Sequence, residues 1–235
     1  MTTPVNSRFG DPFLFEAERH AAWGAAQLRT LMAFLPEGEW SADLDACLYR
    51  QGGLDLRVSV LGTYDAAARS WMWGWANPGL RATPVVALSA RAGEYGRAYG
   101  IPEFAHEVLD LSGFADPGRA AETLAFAAMG VLGAPGYIGV QAGPDTRLFL
   151  LPDDSRVPYA AFDPVSLANT LTSATGLIGH SPYAMVAGYF ERFGLPQRQE
   201  PGRISAALPG EVTAVVEFDA PGRIANIRMT LAGHA

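Results

Sequence analysis

Apolar residues recur along this chain with two different periods. Between residues 12 and 35, Phe13, Ala17, Ala21, Leu28, Met32 and Leu35 fall on one helical face, and Glu16, Arg19, His20 and Gln27 oppose them. That spacing predicts one long amphipathic helix over 12–34. From Trp40 the period becomes two: Trp40, Ala42, Leu44, Ala46 and Leu48 alternate with more polar neighbours, as do Leu54, Leu56, Val58 and Val60. A hairpin looping at Gln51-Gly52-Gly53 opposes Leu48 to Leu56, Ala46 to Val58 and Leu44 to Val60. A third strand over 69–76 then sets Trp71 over Gly62, Trp73 beside Val60 and Trp75 beside Val58, with all three indoles on the buried face.

Capping residues and prolines mark the remaining elements. Asp11-Pro12, Thr83-Pro84, Asp116-Pro117, Asp163-Pro164 and Ser181-Pro182 each place a side-chain acceptor before a ring whose missing N–H costs nothing in the first helical turn. Gly100, Gly133, Gly179 and Gly194 sit where a left-handed C-cap is wanted. Helices over 84–99, 117–132, 164–178 and 182–193 follow. Strands are expected over 137–142 and 146–151, and a closing meander over 203–208, 212–218 and 223–231. In that meander Val216 meets Ala225, Ala214 meets Ile227 and Val212 meets Met229. Runs of strands divided by helices, without regular alternation, give an α+β fold: an antiparallel sheet of about eight strands packed against about five helices. The organisation expected is a flexible stretch over 1–10, a main α+β domain over 11–202, and a β-meander over 203–235 belonging to the same domain. The segment 194–202 reads as the connecting loop.

Composition narrows the chemistry. The formal charge is −7 and no basic stripe is present, which disfavours nucleic acid. All 17 basic residues are arginine, so Schiff-base chemistry, a pyridoxal-phosphate anchor and a phosphate-loop lysine are excluded. No cofactor is implied. The single cysteine, Cys47, and the absence of a basic-then-apolar start point to a reducing, cytoplasmic address. Two stretches without charge, 123–144 and 164–190, are each broken by Gly and Pro, so neither reads as a membrane span.

Candidate functional residues are scattered. Trp71, Trp73 and Trp75 on one strand face could form an aromatic platform for a sugar or peptide, with Asn77 ending the strand, although core packing explains them more simply. Asp43, Asp45, Cys47, Tyr49, Asp55 and Arg57 share the polar face of the first hairpin. Arg57 opposite Cys47 would lower the thiol pKa, but no base accompanies it. Glu103, His106, Glu107 and Asp110 have the spacing of a carboxylate-histidine helix face. Together with Glu16 and His20 they make a conceivable composite metal site. His180 with Ser181 lies between helices and His234 in the tail, and neither belongs to a hydrolase motif.

The run Ser70-Trp71-Met72-Trp73-Gly74-Trp75-Ala76-Asn77, preceded by Gly62-Thr63-Tyr64, resembles a bacterial family of unknown function marked by W-x-W-A-N, over residues 12–152. That family has no assigned activity, so the resemblance implies no catalytic residue and no cofactor. Three readings follow. The first is a non-catalytic soluble protein that binds a protein partner, its element order similar to small chaperone and immunity-protein scaffolds by fold analogy alone. The second is a metal-assisted hydrolase using Glu16, His20, Glu103 and His106. The third is a small-molecule pocket between sheet and helices, lined by tryptophan and tyrosine.

Overall fold

A computed structural model describes residues 8–231 and is a mixed α+β structure with two antiparallel sheets. The chain divides into two compact units. The first holds the described residues through Phe13 together with Gln27–Tyr159, and the second holds Leu14–Ala26 and the described residues from Ala160 onward. In chain order the elements are α1 (Asp11–Arg19), α2 (Ala21–Phe34), β1 (Trp40–Asp43), β2 (Leu48–Gln51), β3 (Leu54–Asp65), β4 (Ser70–Trp73), α3 (Ala87–Tyr99), α4 (Pro102–Ala105) and β5 (Val108–Asp110). There follow α5 (Pro117–Leu132), β6 (Ile138–Gln141), β7 (Thr146–Pro152), α6 (Leu167–Ala174), α7 (Pro182–Arg192), β8 (Gln197–Glu200), β9 (Arg203–Leu208), β10 (Val212–Phe218) and β11 (Ile224–Leu231).

The first unit is organised by β3, which pairs with β2 and then β4 along one edge and with β7 along the other. The direction of its hydrogen bonds shows this. Val58 N–H donates to the Cys47 carbonyl, whereas the carbonyl of the preceding Arg57 accepts from Asp153, and adjacent residues of a strand aim at opposite edges. β6 extends the sheet beyond β7, and β5 beyond β4.

Two irregularities correct the expected registers. The first loop has two residues, Gly52 (φ 55°) and Gly53 (φ 86°), so Gln51 opposes Leu54 and Tyr49 opposes Leu56. Two consecutive positive φ angles are what a tight primed turn requires, and the one-residue shift turns the strand over. Tyr49, not Leu48, is therefore buried. Residues 44–47 form a turn instead of continuing the strand, and Cys47 sits in it at φ 54°. The second irregularity is a bulge between Val60 and Gly62, which pairs Gly62 with both Phe149 and Trp73. An inserted residue switches faces. Trp71 and Trp73 thus lie on the sheet face opposite Val58 and Val60.

Both faces are consequently buried. One carries Leu56, Val58, Val60, Ile138, Val140, Leu148 and Leu150, packed with Leu31 and the partly buried Phe34 and Leu35 at the end of α2. The other carries Trp71, Trp73 and Phe149, continued by Phe104, Phe13 and Phe9, with Trp73 Nε1 donating to the Glu103 carbonyl at 2.9 Å. Trp71 and Trp73 are fully buried, as expected. Trp75 is only half-buried, because residues 74–76 leave the strand as a short 3₁₀ turn. α5 buries residues all round, which its run of Ala120, Ala121, Leu124, Ala125, Ala127 and Ala128 permits.

The long N-terminal helix is broken between Arg19 and Ala21. Gln27, expected on its polar side, is fully buried and donates to the carbonyls of Pro135 (2.8 Å) and Pro158 (3.0 Å). Phe9 is buried between Phe13 and Phe114, and Gly10 N–H donates to Glu103, while residues 1–7, the rest of the expected flexible stretch, lie outside the described residues. Asp116 and Ser181 cap α5 and α7 as their sequences predict, and Gly100 and Gly133 take the left-handed C-cap.

In the second unit β11-β10-β9-β8 form a four-stranded sheet of their own. Residues 197–200, expected as loop, supply its edge strand. The meander register is shifted two residues from expectation, so Val216 opposes Ile227 and Ala214 opposes Met229. A two-residue shift keeps every side chain on its face. α7 lies against β8 and β9, and Gly188 lets the Arg19 carbonyl approach its backbone.

Gly62 tests the face switch. A Cβ there would stand 2.5 Å from Trp71 Cζ2 and 2.7 Å from the Met72 carbonyl oxygen. Gly62→Ala is expected to destabilise the first unit by about 1–3 kcal/mol, read by urea denaturation followed through tryptophan emission. An unchanged midpoint would mean that the indole can move aside.

Candidate functional site

The residues singled out by sequence do not converge. Glu103, on the short α4, is buried and accepts from Gly10 N–H at 2.6 Å through Oε1. His106 follows the end of that helix, and Asp110 lies on β5, so the expected helical face does not exist. Among the described residues no group of three or more His, Cys, Asp or Glu side chains is placed to hold a metal ion. Cys47 packs its half-buried side chain against the α2 core instead of the polar sheet face, and Leu48 takes the place opposite Arg57. Arg57 is committed to Asp153, through the carbonyl at 2.7 Å and the carboxylate at 2.9 Å. Trp75 leans on Gly93, with the Arg97 guanidinium 5.6 Å from its ring centre, and Asn77 accepts from Gly79 N–H at 2.9 Å to close a turn. His234 lies outside the described residues.

Glu16 and His20 belong to the second unit. Glu16 Oε2 is 3.9 Å from His20 Nε2, at the limit of an ion pair. Burial, reinforced by Arg19 and Arg192 and opposed by Glu191, lowers the imidazole pKa to about 4. Near neutral pH His20 is therefore uncharged. Glu18, which sequence reasoning passed over, is fully buried, and its Oε2 accepts from His180 N–H at 2.7 Å beside the start of α7. Burial raises its pKa against the backbone N–H groups of His180, Ser181 and Gly179, which lower it. This carboxyl lies just before the N-terminus of α7, whose cap is Ser181.

A cleft of about 670 Å³ in the first unit is where unassigned chemistry gathers. Leu28, Met32 and Leu35 of α2 form its apolar wall. The two-glycine turn and the β1 register bring Trp40 opposite Gln51 and next to Tyr49. The rings of Trp40 and Tyr49 are nearly parallel, 16° apart with centroids at 6.3 Å. Tyr49 is buried, and its hydroxyl donates to Gln51 Oε1 at 2.6 Å. Trp40, expected inside, keeps 40% of its surface exposed, and Met32, expected in the core stripe, keeps 67%.

The opposite side of the cleft wraps over β6. Arg147 reaches from β7 across Gly139, where a Cβ would fall 2.8 Å from Nη2. Its Nη1 meets Glu122 Oε1 of α5 at 2.5 Å, and its guanidinium carbon lies 5.2 Å from the Phe149 ring centre. Glu122 Oε2 accepts from the Tyr137 hydroxyl at 2.6 Å. Burial and the Glu122 charge push that phenol far above its ordinary pKa, so it remains a donor. Glu122 lies on α5, Tyr137 just before β6 and Arg147 on β7, and no spacing in the sequence links them.

The volume lies within the ~300–1,000 Å³ typical of small-ligand sites. Aromatic and aliphatic walls with a few fixed polar groups suit binding. No serine, threonine, cysteine or histidine lines the cleft.

The second-unit groups give a pH prediction. Because the His20 pKa is lower folded than unfolded, its contribution to stability is present above about 6.5 and is lost as pH falls toward about 4. Glu18, with a raised pKa, acts in the opposite sense: its ionisation penalises the fold as pH rises above the ordinary carboxyl range. His20→Phe is expected to flatten the acid limb of the stability profile measured by circular dichroism between pH 4 and 6.5. An unchanged limb would show the imidazole to be solvated.

Among the described residues no helix is long and apolar enough to cross a membrane. Neither a curated protein nor a solved structure matches the chain. A family model matches residues 13–155, a stretch that holds every residue lining the cleft and ends before α6, α7 and the second sheet. On that match, which spans more than half of its length, the chain belongs to the family of unknown function DUF6882.

Proposed function

We propose that this chain is a non-catalytic binding protein and that the α2–β6 cleft holds a small ligand. The observation that carries the reading is Trp40. A large indole that could be buried is instead held open to solvent, fixed from beneath by a buried tyrosine whose own hydroxyl is satisfied. Orienting such a ring at a solvent-facing position gains little for folding, because the exposed part of its surface contributes no burial energy. It does offer a rigid platform for contact.

The remaining lining supports the same use. Planar polar groups sit at the cleft edges, each anchored by a second side chain, as in Arg147 by Glu122, Glu122 by Tyr137, and Gln51 by Tyr49. Preorganised groups lose less entropy when they engage a ligand. A protein partner of the chaperone or immunity kind would call for a broader face, and the cleft argues for a smaller occupant. Metal-assisted hydrolysis has no ligand set among the described residues to support it.

A thermal-shift screen of the full chain against a metabolite panel is expected to give at least one stabilising compound whose shift disappears in Trp40→Ala. Trp40 keeps 40% of its surface exposed but stacks on Tyr49, so each variant's shift is read against its own unliganded melting point. Shifts that survive both Trp40→Ala and Arg147→Gln would sink the assignment of the cleft.

A further inference from the structure

We infer that the ligand of this cleft is an uncharged ring compound with an apolar face and a hydrogen-bonding rim, a conclusion that rests on the reading of the cleft as a binding site. The ring requirement comes from Trp40. Its indole stacks on Tyr49 on one side, which leaves the other available for a flat partner. Saccharide C–H faces and heterocyclic bases both meet an exposed indole in this way.

The absence of charge comes from how the ionised groups of the cleft are already spent. Arg147 is paired with Glu122, and Glu122 also accepts from Tyr137. A carboxylate or phosphate approaching Arg147 would meet the Glu122 carboxylate beside it. The remaining charged lining group, Glu37, is an exposed carboxylate: it repels an anion, and through water it draws a cation only weakly. A cation approaching Glu122 would meet the Arg147 guanidinium. Like-charge encounters of this kind select against both signs.

The rim requirement comes from groups with capacity left after those pairings. Gln51 uses its Oε1 for Tyr49, which leaves its amide N–H groups to donate. β6 contributes backbone groups. Ala142 N–H donates to Thr146, so β6 residues of that parity face β7, and Gly139 and Gln141 direct their N–H and C=O groups away from it. Among the described residues β6 pairs with β7 alone, so these groups lie on a sheet edge that the cleft wraps. Neutral donors and acceptors in a row suit hydroxyls or a base edge.

Isothermal titration of the full chain separates the possibilities. The probes are neutral hexoses and disaccharides in one arm and free nucleosides in the other. Each is paired with a charged counterpart: hexose 6-phosphate, uronic acid, hexosamine or nucleoside monophosphate. The expected result is a neutral compound that binds more tightly than its charged counterparts, and loses about tenfold in affinity in Trp40→Ala, the worth of one stacked ring. Whichever arm contains it identifies the source of the ring. Arg147→Gln is expected to weaken the same compound and serves if the tryptophan variant is poorly folded. Charged members binding as tightly as neutral ones, with Trp40 still required, would overturn the inference and leave the cleft assignment standing. Binding indifferent to both substitutions would overturn the two together. No binding by any neutral member at millimolar concentration would also overturn the ligand class.

Discussion

The first unit depends on β3 pairing along both of its edges. Its twelve residues hold β2 and β4 on one side and β7 on the other, so every strand of the seven-stranded sheet reaches the rest through it. A strand in that position is buried on both faces and needs apolar or small side chains throughout, as Val58-Ser59-Val60-Leu61-Gly62 supplies. The one internal hydroxyl, Ser59, is satisfied by donating to the Val85 carbonyl at 2.7 Å. The bulge after Val60 then divides the labour of the two faces. Aliphatic residues meet α2 on one, and a tryptophan-phenylalanine cluster fills the other.

That arrangement explains why the conspicuous tryptophans are not the functional ones. Trp71 and Trp73 are spent on the core, each worth roughly 3–5 kcal/mol against alanine. Trp40, on the outer strand β1, is the indole left most open, with Trp75 half-buried. The cleft forms where β1 and β2 at one end of that order and β6 at the other come to line the same space, with the last turns of α2 as its wall. An edge strand in such a place normally needs protection from other chains. Here Arg147, lying across Gly139 toward Glu122, places paired charge beside the edge. It shields the strand and leaves backbone groups in reach of a ligand.

In the second unit the comparable commitment is Glu18. A fully buried carboxyl is costly unless hydrogen-bonded; the backbone N–H of His180, at the entry to α7, satisfies Oε2, while Oε1 is buried without a hydrogen-bond partner. Around it Arg19 bridges Glu16 and Glu191, and Arg192 stacks 3.8 Å from the Trp23 ring centre. These contacts account for the Glu16 and His20 spacing as structure. They also show why a histidine four residues from a glutamate on a helix need not signal a metal.

Local chemistry was legible from residues alone. The α+β class, the caps at Asp116 and Ser181, the glycine stops at Gly100 and Gly133, the β6–β7 hairpin, the meander of β9 to β11 and the burial of Trp71 and Trp73 all follow from period, propensity and the hydrogen-bonding needs of helix ends, which act within a few residues. What required the folded chain were facts set by pairing at a distance. A two-residue turn made Tyr49 the buried residue, a bulge moved the tryptophans to the other face, and Gln27 went inside because two proline carbonyls needed a donor. The cleft is the extreme case. Trp40, Glu122, Tyr137 and Arg147 are separated by up to about a hundred residues, and each looks ordinary in its own segment. Only the closure of long-range strand pairs brings them to one place, because contact between them depends on register and curvature, which no local pattern encodes.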